Sequence, residues 1–270
     1  MGRNMIRLAE EKDRATLLDY LRREPEFNLF IIGDILACGV RSEQMEIVIE
    51  AQRGAVDAVL LRFRASFILC TYDRDADLAG LAGRINTTLA TPGAWFVSGK
   101  KATIDRVEPL LQRKPSQSHD QIFSVCRELK PDVPLASLGA VGLAVPADAD
   151  EILDLWESAF GTPQPREHLA KDIAGGDRLT IVRDHASGKI VSTAAAVSES
   201  DSSAMIVGVA THSEHRGKGY ASACVWRLVS DLRARHKSAC LFFHNPAAGS
   251  IYRRLGFTDI GFWKMLKFEK

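Results

Sequence analysis

An apolar stretch from Ala204 to Ala210 runs into Thr211-His212-Ser213-Glu214-His215-Arg216-Gly217-Lys218-Gly219-Tyr220-Ala221, where two glycines and two cations precede a helical pattern. Glycine lets successive backbone N–H groups converge on one point without obstruction by a Cβ. A helix opening just behind adds partial positive charge at its N-terminus. Such a turn can cradle a phosphate or pyrophosphate, and Arg216 and Lys218 add two full charges. The spacing fits neither G-x-x-x-x-G-K-[ST] nor G-x-G-x-x-G, so a Walker loop and a dinucleotide fingerprint are both excluded. Taken alone, this loop reads equally well as an anion site and as a plain strand-to-helix turn.

A second segment weights the choice. Asn245-Pro246-Ala247-Ala248-Gly249-Ser250-Ile251-Tyr252-Arg253-Arg254-Leu255-Gly256-Phe257 follows another apolar run and reads as a helix stopped by Gly256. With both segments in this order, the sequence resembles the GNAT superfamily of acyl-CoA-dependent N-acetyltransferases over roughly residues 140 to 268. The family's R/Q-x-x-G-x-G/A pattern matches Arg216, Gly219 and Ala221, and N-x-x-A-x-x-x-Y-x-x-x-G-F matches Asn245, Ala248, Tyr252, Gly256 and Phe257. The resemblance implies acetyl-CoA as co-substrate, its pantetheine arm lying between two splayed parallel strands. It further implies that backbone groups of Val209, Ala210 and Thr211 hold that arm and polarise the thioester carbonyl, a fixed-dipole device. Backbone N–H groups of Arg216, Gly217, Lys218, Gly219, Tyr220 and Ala221 would hold the pyrophosphate. Asn245 would contact the cofactor arm, and Tyr252 would protonate the departing thiolate. Outside the motif, Tyr252 would read as a core tyrosine with its hydroxyl reaching water.

The resemblance does not supply a base. A free amine like that of lysine has a pKa of ~10.4 and is mostly protonated at pH 7, so direct attack needs a proton acceptor. Family members often carry a carboxylate in mid-strand, but Ala204-Met205-Ile206-Val207 has none. The nearest candidates are Glu199, Asp201, His212, Glu214 and His215, each of which also reads as an ordinary loop residue. His212, Glu214 and His215 on one turn are too few to argue a metal site, and none is expected. Thr211 and Ser213 stand where many members have Val and Pro.

Positioning these groups requires an ordered series of helices and strands. In the C-terminal half the patterns predict helices at 149–160, after Pro165, at 219–235 and at 246–255, with strands at 179–183, 190–197, 204–211, 239–244 and 262–268. The N-terminal half shows the same order: helix at 13–22, strands at 45–51, 55–63 and 66–72 with Gln52-Arg53-Gly54 as a hairpin turn, helix at 75–89, strand at 94–98, helix at 101–111 and strand at 121–129. The expected fold class is therefore α/β with mixed sheets, as two tandem GNAT-like domains, a degenerate one at 1–130 and a catalytic, acetyl-CoA-binding one at 138–270. The Pro131 and Pro134 segment, 130–139, is the expected linker. Glu24-Pro25-Glu26-Phe27-Asn28-Leu29-Phe30-Ile31-Ile32-Gly33-Asp34 resembles a stretch of two-domain GNAT proteins with a degenerate first half. The loop Asp73-Arg74-Asp75-Ala76-Asp77 has three carboxylates and no R-x-x-G-x-G, so the first half is expected not to bind CoA. That half would wall off the acceptor pocket, form a homodimer surface, do both, or act as a structural partner only.

Composition bounds the rest. Hydrophobic residues make up 46% and charged residues 26%, which excludes a disordered chain. The net charge of +1 hides an asymmetry: residues 215–270 hold 11 Lys and Arg against 3 Asp and Glu, giving +8, so residues 1–214 carry −7. The overall balance argues against nucleic-acid and membrane partners. Five scattered cysteines without a C-x-x-C pair, and no apolar run near ~20 residues, point to a cytoplasmic protein. The leading function is acetyl transfer from acetyl-CoA to a primary amine of a small molecule or peptide, directly, in a ternary complex. A non-catalytic acyl-CoA sensor, a transferase for another acyl group and a cofactor-free interaction protein are the alternatives. The acceptor pocket is expected from loops near 160–166, where no pattern identifies the amine.

Overall fold

The computed structural model describes residues 5–52, 55–74, 76–130, 140–161, 166–176 and 178–269. Its packing divides the chain into two units, Met1–Phe123 with Ile260–Lys270, and Ser124–Asp259. The expected linker at 131–139, the turn residues 53 and 54, and loop positions 162–165 lie outside the described residues.

The first unit is built from β1 (Met5–Leu8), α1 (Arg14–Leu21), α2 (Leu29–Cys38), β2 (Arg41–Ser42), β3 (Met45–Gln52), β4 (Ala55–Phe63), β5 (Ser66–Thr71), α3 (Ala79–Leu89), β6 (Trp95–Lys100), α4 (Lys101–Val107) and the start of β7 (Gln117–Cys126). Strands β1, β3, β4 and β5 pair antiparallel, and β5 runs parallel to β6. Successive strand residues face opposite sides of the sheet. Accordingly Ile47, Ile49, Val59 and Leu61 pack with Leu17, Leu21, Ile31, Ile32 and Ile35 on one face. Val48, Leu60, Phe67 and Leu69 pack with Leu81, Ile85 and Ile104 on the other. Helix α2, Leu-Phe-Ile-Ile-Gly-Asp-Ile-Leu-Ala-Cys, was not expected as a helix. It is apolar nearly all round, and so lacks the one-sided stripe that marks a surface helix.

The second unit contains β8 (Val141–Leu143), α5 (Ala149–Phe160), α6 (Arg166–Ala174), β9 (Arg178–Arg183), β10 (Ile190–Val197), β11 (Ser203–Thr211), α7 (Tyr220–Arg233), β12 (Ser238–Phe243) and α8 (Pro246–Leu255). Strands β8 to β11 form an antiparallel meander, and β11 then runs parallel to β12. Ile152 and Leu155 of α5 pack with Leu179, Ile181, Ile190 and Ala195. Helix α7 buries Cys224, Val225, Leu228, Val229 and Leu232. The internal order of this unit matches that of the first: a helical segment, an antiparallel meander, then a helix and one parallel strand.

The last strand, β13 (Thr258–Phe268), departs from the expected halves. Its residues Trp263 to Phe268 pair antiparallel with β6, from Trp263↔Lys100 to Phe268↔Trp95. Lys264 Nζ adds ion pairs to Asp105 at 2.8 Å and Glu108 at 2.6 Å. Residues 260–270, which the sequence assigned to the C-terminal half, therefore complete the sheet of the first unit. Periodicity identifies the strand, but only the free edge of β6 decides where it pairs. No helix among the described residues is long and apolar enough to cross a membrane.

Candidate functional site

Strand β11 pairs with β10 over most of its length and with β12 only at its start. Its parallel register with β12 covers Ser203↔Ser238, Ala204↔Ala239 and Met205↔Cys240. Beyond Met205 the β12 side of β11 has no ladder partner among the described residues, which leaves backbone polar groups available at the strand end. On the β10 side the register steps from Ala195↔Val207 to Thr193↔Ala210, so Gly208 and Val209 together oppose Ala194 as a β-bulge. Gly208 has φ of +61°. A Cβ at this position would lie 2.4 Å from Trp156 Cζ2, so only glycine fits. The Gly208 carbonyl accepts from Thr193 Oγ1 at 2.7 Å and from Trp156 Nε1 at 3.1 Å. Neither Trp156 nor Thr193 was singled out in the sequence, where Trp156 counted only as part of an apolar helix face.

The strand end is held just as closely. Ser192 Oγ donates to the Ala210 carbonyl at 2.9 Å and lies 2.9 Å from Thr211 Oγ1. Arg216 Nε donates to the Thr211 carbonyl at 3.2 Å, folding the loop back over the end of β11. The loop then turns at Gly217 and Gly219, with φ of +79° and +82°. Gly219 is the N-cap of α7 and offers no side-chain cap. The first α7 backbone bond runs from Ala223 N to the Gly219 carbonyl at 3.0 Å, so the N–H groups of Tyr220 and Ala221 precede the intrahelical ladder. Fourteen residues of aligned peptide dipoles stand behind them. Lys218 Nζ is 3.5 Å from His215 Nδ1, and the His212 and His215 rings are 6.0 Å apart. The expected cradle residues from Val209 to Ala221 thus lie on one continuous strand-loop-helix path.

Asn245 and Tyr252 come from the next element. Asn245 is the exposed N-cap of α8, and its Oδ1 accepts from Ala247 N at 2.9 Å. Capping therefore explains Asn followed by Pro at this position independently of any ligand. Tyr252 is 7% exposed and packs on Phe243 and Phe257, with ring centroids 5.6 and 5.8 Å away. Burial pushes its hydroxyl up to about 12, so it stays neutral and protonated at physiological pH.

Of the five base candidates, Glu199 and Asp201 lie in the turn before β11, at the opposite end of that nine-residue strand. At ~3.4 Å per residue, roughly 25 Å separates that turn from Thr211. Glu199 is also committed to Arg235 at 2.5 Å and Lys237 at 2.6 Å. His212, Glu214 and His215 remain at the cradle end.

In the first unit, side chains bond the backbone groups of the equivalent loop and helix start. Asp77 Oδ1 accepts from Ala79 N at 3.0 Å, occupying the start of α3. Arg106 donates to the carbonyls of Asp73 at 2.8 Å and Ala76 at 2.5 Å, pinning the loop. Lys100, at the end of β6, pairs with Glu24 at 2.6 Å. Asp75 of this loop lies outside the described residues.

Comparisons with known proteins agree with this geometry. The family model described as an acetyltransferase (GNAT) domain matches residues 142–260. No curated protein matches the chain. Among solved structures, a Drosophila protein is similar with a TM-score of 0.75 at 12% identity, covering 98% of this chain and 99% of its own. A GCN5-related N-acetyltransferase from Sphaerobacter thermophilus is similar with a TM-score of 0.64 at 16% identity, covering 98% and 95%. A tandem GNAT protein from the clavulanic acid biosynthesis pathway is similar with a TM-score of 0.61 at 12% identity, covering 99% and 98%. At these identities the structures speak for the fold, which is that of tandem GNAT proteins along the whole chain. Residues 142–260 are thus similar to an acetyltransferase (GNAT) domain, and the chain shares its fold with tandem GNAT proteins.

Proposed function

We propose that the chain is an acetyl-CoA-dependent N-acetyltransferase acting on a primary amine by direct transfer in a ternary complex. The observation that carries this reading is the single path formed by the bulged, half-unpaired end of β11, the two-glycine basic loop and the uncapped start of α7. An anionic, extended ligand fits such a path: backbone donors face its phosphates while Arg216 and Lys218 supply charge. Val209, Ala210 and Thr211 lie beside the open edge, where their backbone groups would hold the pantetheine arm. Acetyl-CoA supplies an activated thioester when bound. The Val209 N–H would stabilise negative charge developing on the thioester oxygen as the amine nitrogen bonds to the carbonyl carbon. Tyr252, neutral because it is buried, would give its proton to the sulfur as the C–S bond breaks. The acceptor must lose one proton, and His212, Glu214 and His215 are base candidates at that end of the strand. Five scattered cysteines with no C-x-x-C pair favour a reducing, cytoplasmic setting.

Removing Glu199 and Asp201 from the candidate bases favours one second reading, an acyl-CoA sensor that binds without turnover. Free thiol release from acetyl-CoA, measured against a panel of small-molecule and peptide amines, separates the two. Thiol release dependent on an amine supports the transferase, CoA binding without release supports the sensor, and no binding removes both. Substituting longer acyl-CoA thioesters in the same assay tests the preference for acetyl.

A further inference from the structure

The Gly208–Val209 peptide is aimed by two side chains that sequence patterns leave among ordinary core residues. A trans peptide is planar, so its C=O and N–H point in opposite directions. The bulge removes the Gly208 carbonyl from the regular ladder. Trp156 Nε1 and Thr193 Oγ1 then occupy both of its lone pairs, and Trp156 Nε1 also donates to Thr193 Oγ1 at 2.9 Å. Thr193 stands on β10, fully buried, and Trp156 stands on α5. A carbonyl held toward β10 and α5 turns the Val209 N–H the other way, toward the edge of β11 that β12 has left.

We propose that Trp156 and Thr193 are positioning residues for acyl transfer, which hold the β11 bulge so that the Val209 N–H is presented to the thioester carbonyl. This rests on the reading of the site as an acyl-CoA site. The three groups form a closed triangle in which each bond restrains the others, so loss of one hydroxyl frees the peptide to rotate. Misplacing an aligned donor by about 1 Å costs on the order of 10²-fold in rate, and that is the expected loss in acyl transfer.

Amide NMR of the full-length chain tests this without knowledge of the acceptor, using CoA and acetyl-CoA as probes. Gly217, Gly219 and Ala221 amides are expected to shift with both probes in the wild type and in Thr193→Val. The Val209 amide should shift further with acetyl-CoA than with CoA in the wild type. That extra shift should vanish in Thr193→Val, survive in Thr193→Ser, and weaken in Trp156→Phe, which keeps the ring and loses the donor. An extra Val209 shift that persists in both Thr193→Val and Trp156→Phe, or is missing from the wild type, overturns the proposal while leaving CoA binding intact. If the loop amides respond to neither probe, the acyl-CoA reading itself falls and the proposal falls with it. Thr193→Ser serves as the folding control, because it retains the hydroxyl and removes one methyl.

Discussion

Tyr252 shows how burial sets chemistry at a single residue. In the free protein its pKa is raised from 10.0 to about 12, so it holds its proton across the working range. Its stabilising contribution is complete below pH 10 and is lost between about 10 and 12, because the unfolded chain ionises first. An acid role predicts that Tyr252→Phe lowers kcat by about 10²-fold or more while CoA affinity is unchanged. A change of less than twofold would exclude that role. The difference between wild-type and variant kcat/KM should also show no alkaline limb below pH 10. Asp34 gives the opposite case, a carboxyl in the apolar helix α2 pushed up to about 6 by burial alone. A raised carboxyl pKa means that stability is present below the unfolded value and lost as pH climbs from about 4 to 6. Asp34→Asn should therefore stabilise the chain at pH 7 by about 1 kcal/mol after allowance for solvent screening. At pH 4 it should change little, and urea melts at the two pH values check both arms.

Helix α8 and strand β11 carry the element-scale consequences. Asn245 caps α8, so Asn245→Ala should cost about 1 kcal/mol of stability with no ligand present. Asn245→Asp keeps the cap oxygen. If it folds normally yet binds CoA several-fold more weakly, the side chain also faces the cofactor arm; unchanged affinity would confine Asn245 to capping. The Asn-Pro pair and the Tyr252, Gly256 and Phe257 spacing are short-range signals, which is why this element was legible in the sequence. The bulge in β11 was not, because it depends on Trp156, which is distant in sequence. Gly208→Ala must accept φ of +61° and place its Cβ 2.4 Å from the Trp156 ring. A loss of at least ~2 kcal/mol in chemical denaturation is expected, from left-handed strain plus displacement of the indole.

The chain as a whole has two units of like order, and in the first the loop after β5 has its backbone groups bonded by Asp77 and Arg106. Calorimetric titration with CoA is expected to give one site per chain; a value of two would mean that the first unit binds as well. Saturation at ~100 times Kd should add about 2.7 kcal/mol of stability, visible as a thermal shift. The last strand makes a further prediction. Residues 1–130 expressed alone lack Trp263 to Phe268, the partners of β6, and with them the buried Leu266 and Phe268. An exposed, unpaired strand edge invites aggregation. The fragment is expected to be insoluble, and supplying 260–270 as a C-terminal extension should restore a folded state by circular dichroism.

By itself, the sequence determined what depends on near neighbours along the chain: the meanders, the two-glycine loop, the Gly256 stop and the family resemblance they carry. Turn chemistry and period are local, so they survive in one dimension. Tertiary structure alone decided which edge β13 completes and how Trp156 and Thr193 turn one peptide. Each of those depends on a partner brought close by packing of distant segments, and neither spacing nor composition records such a distance.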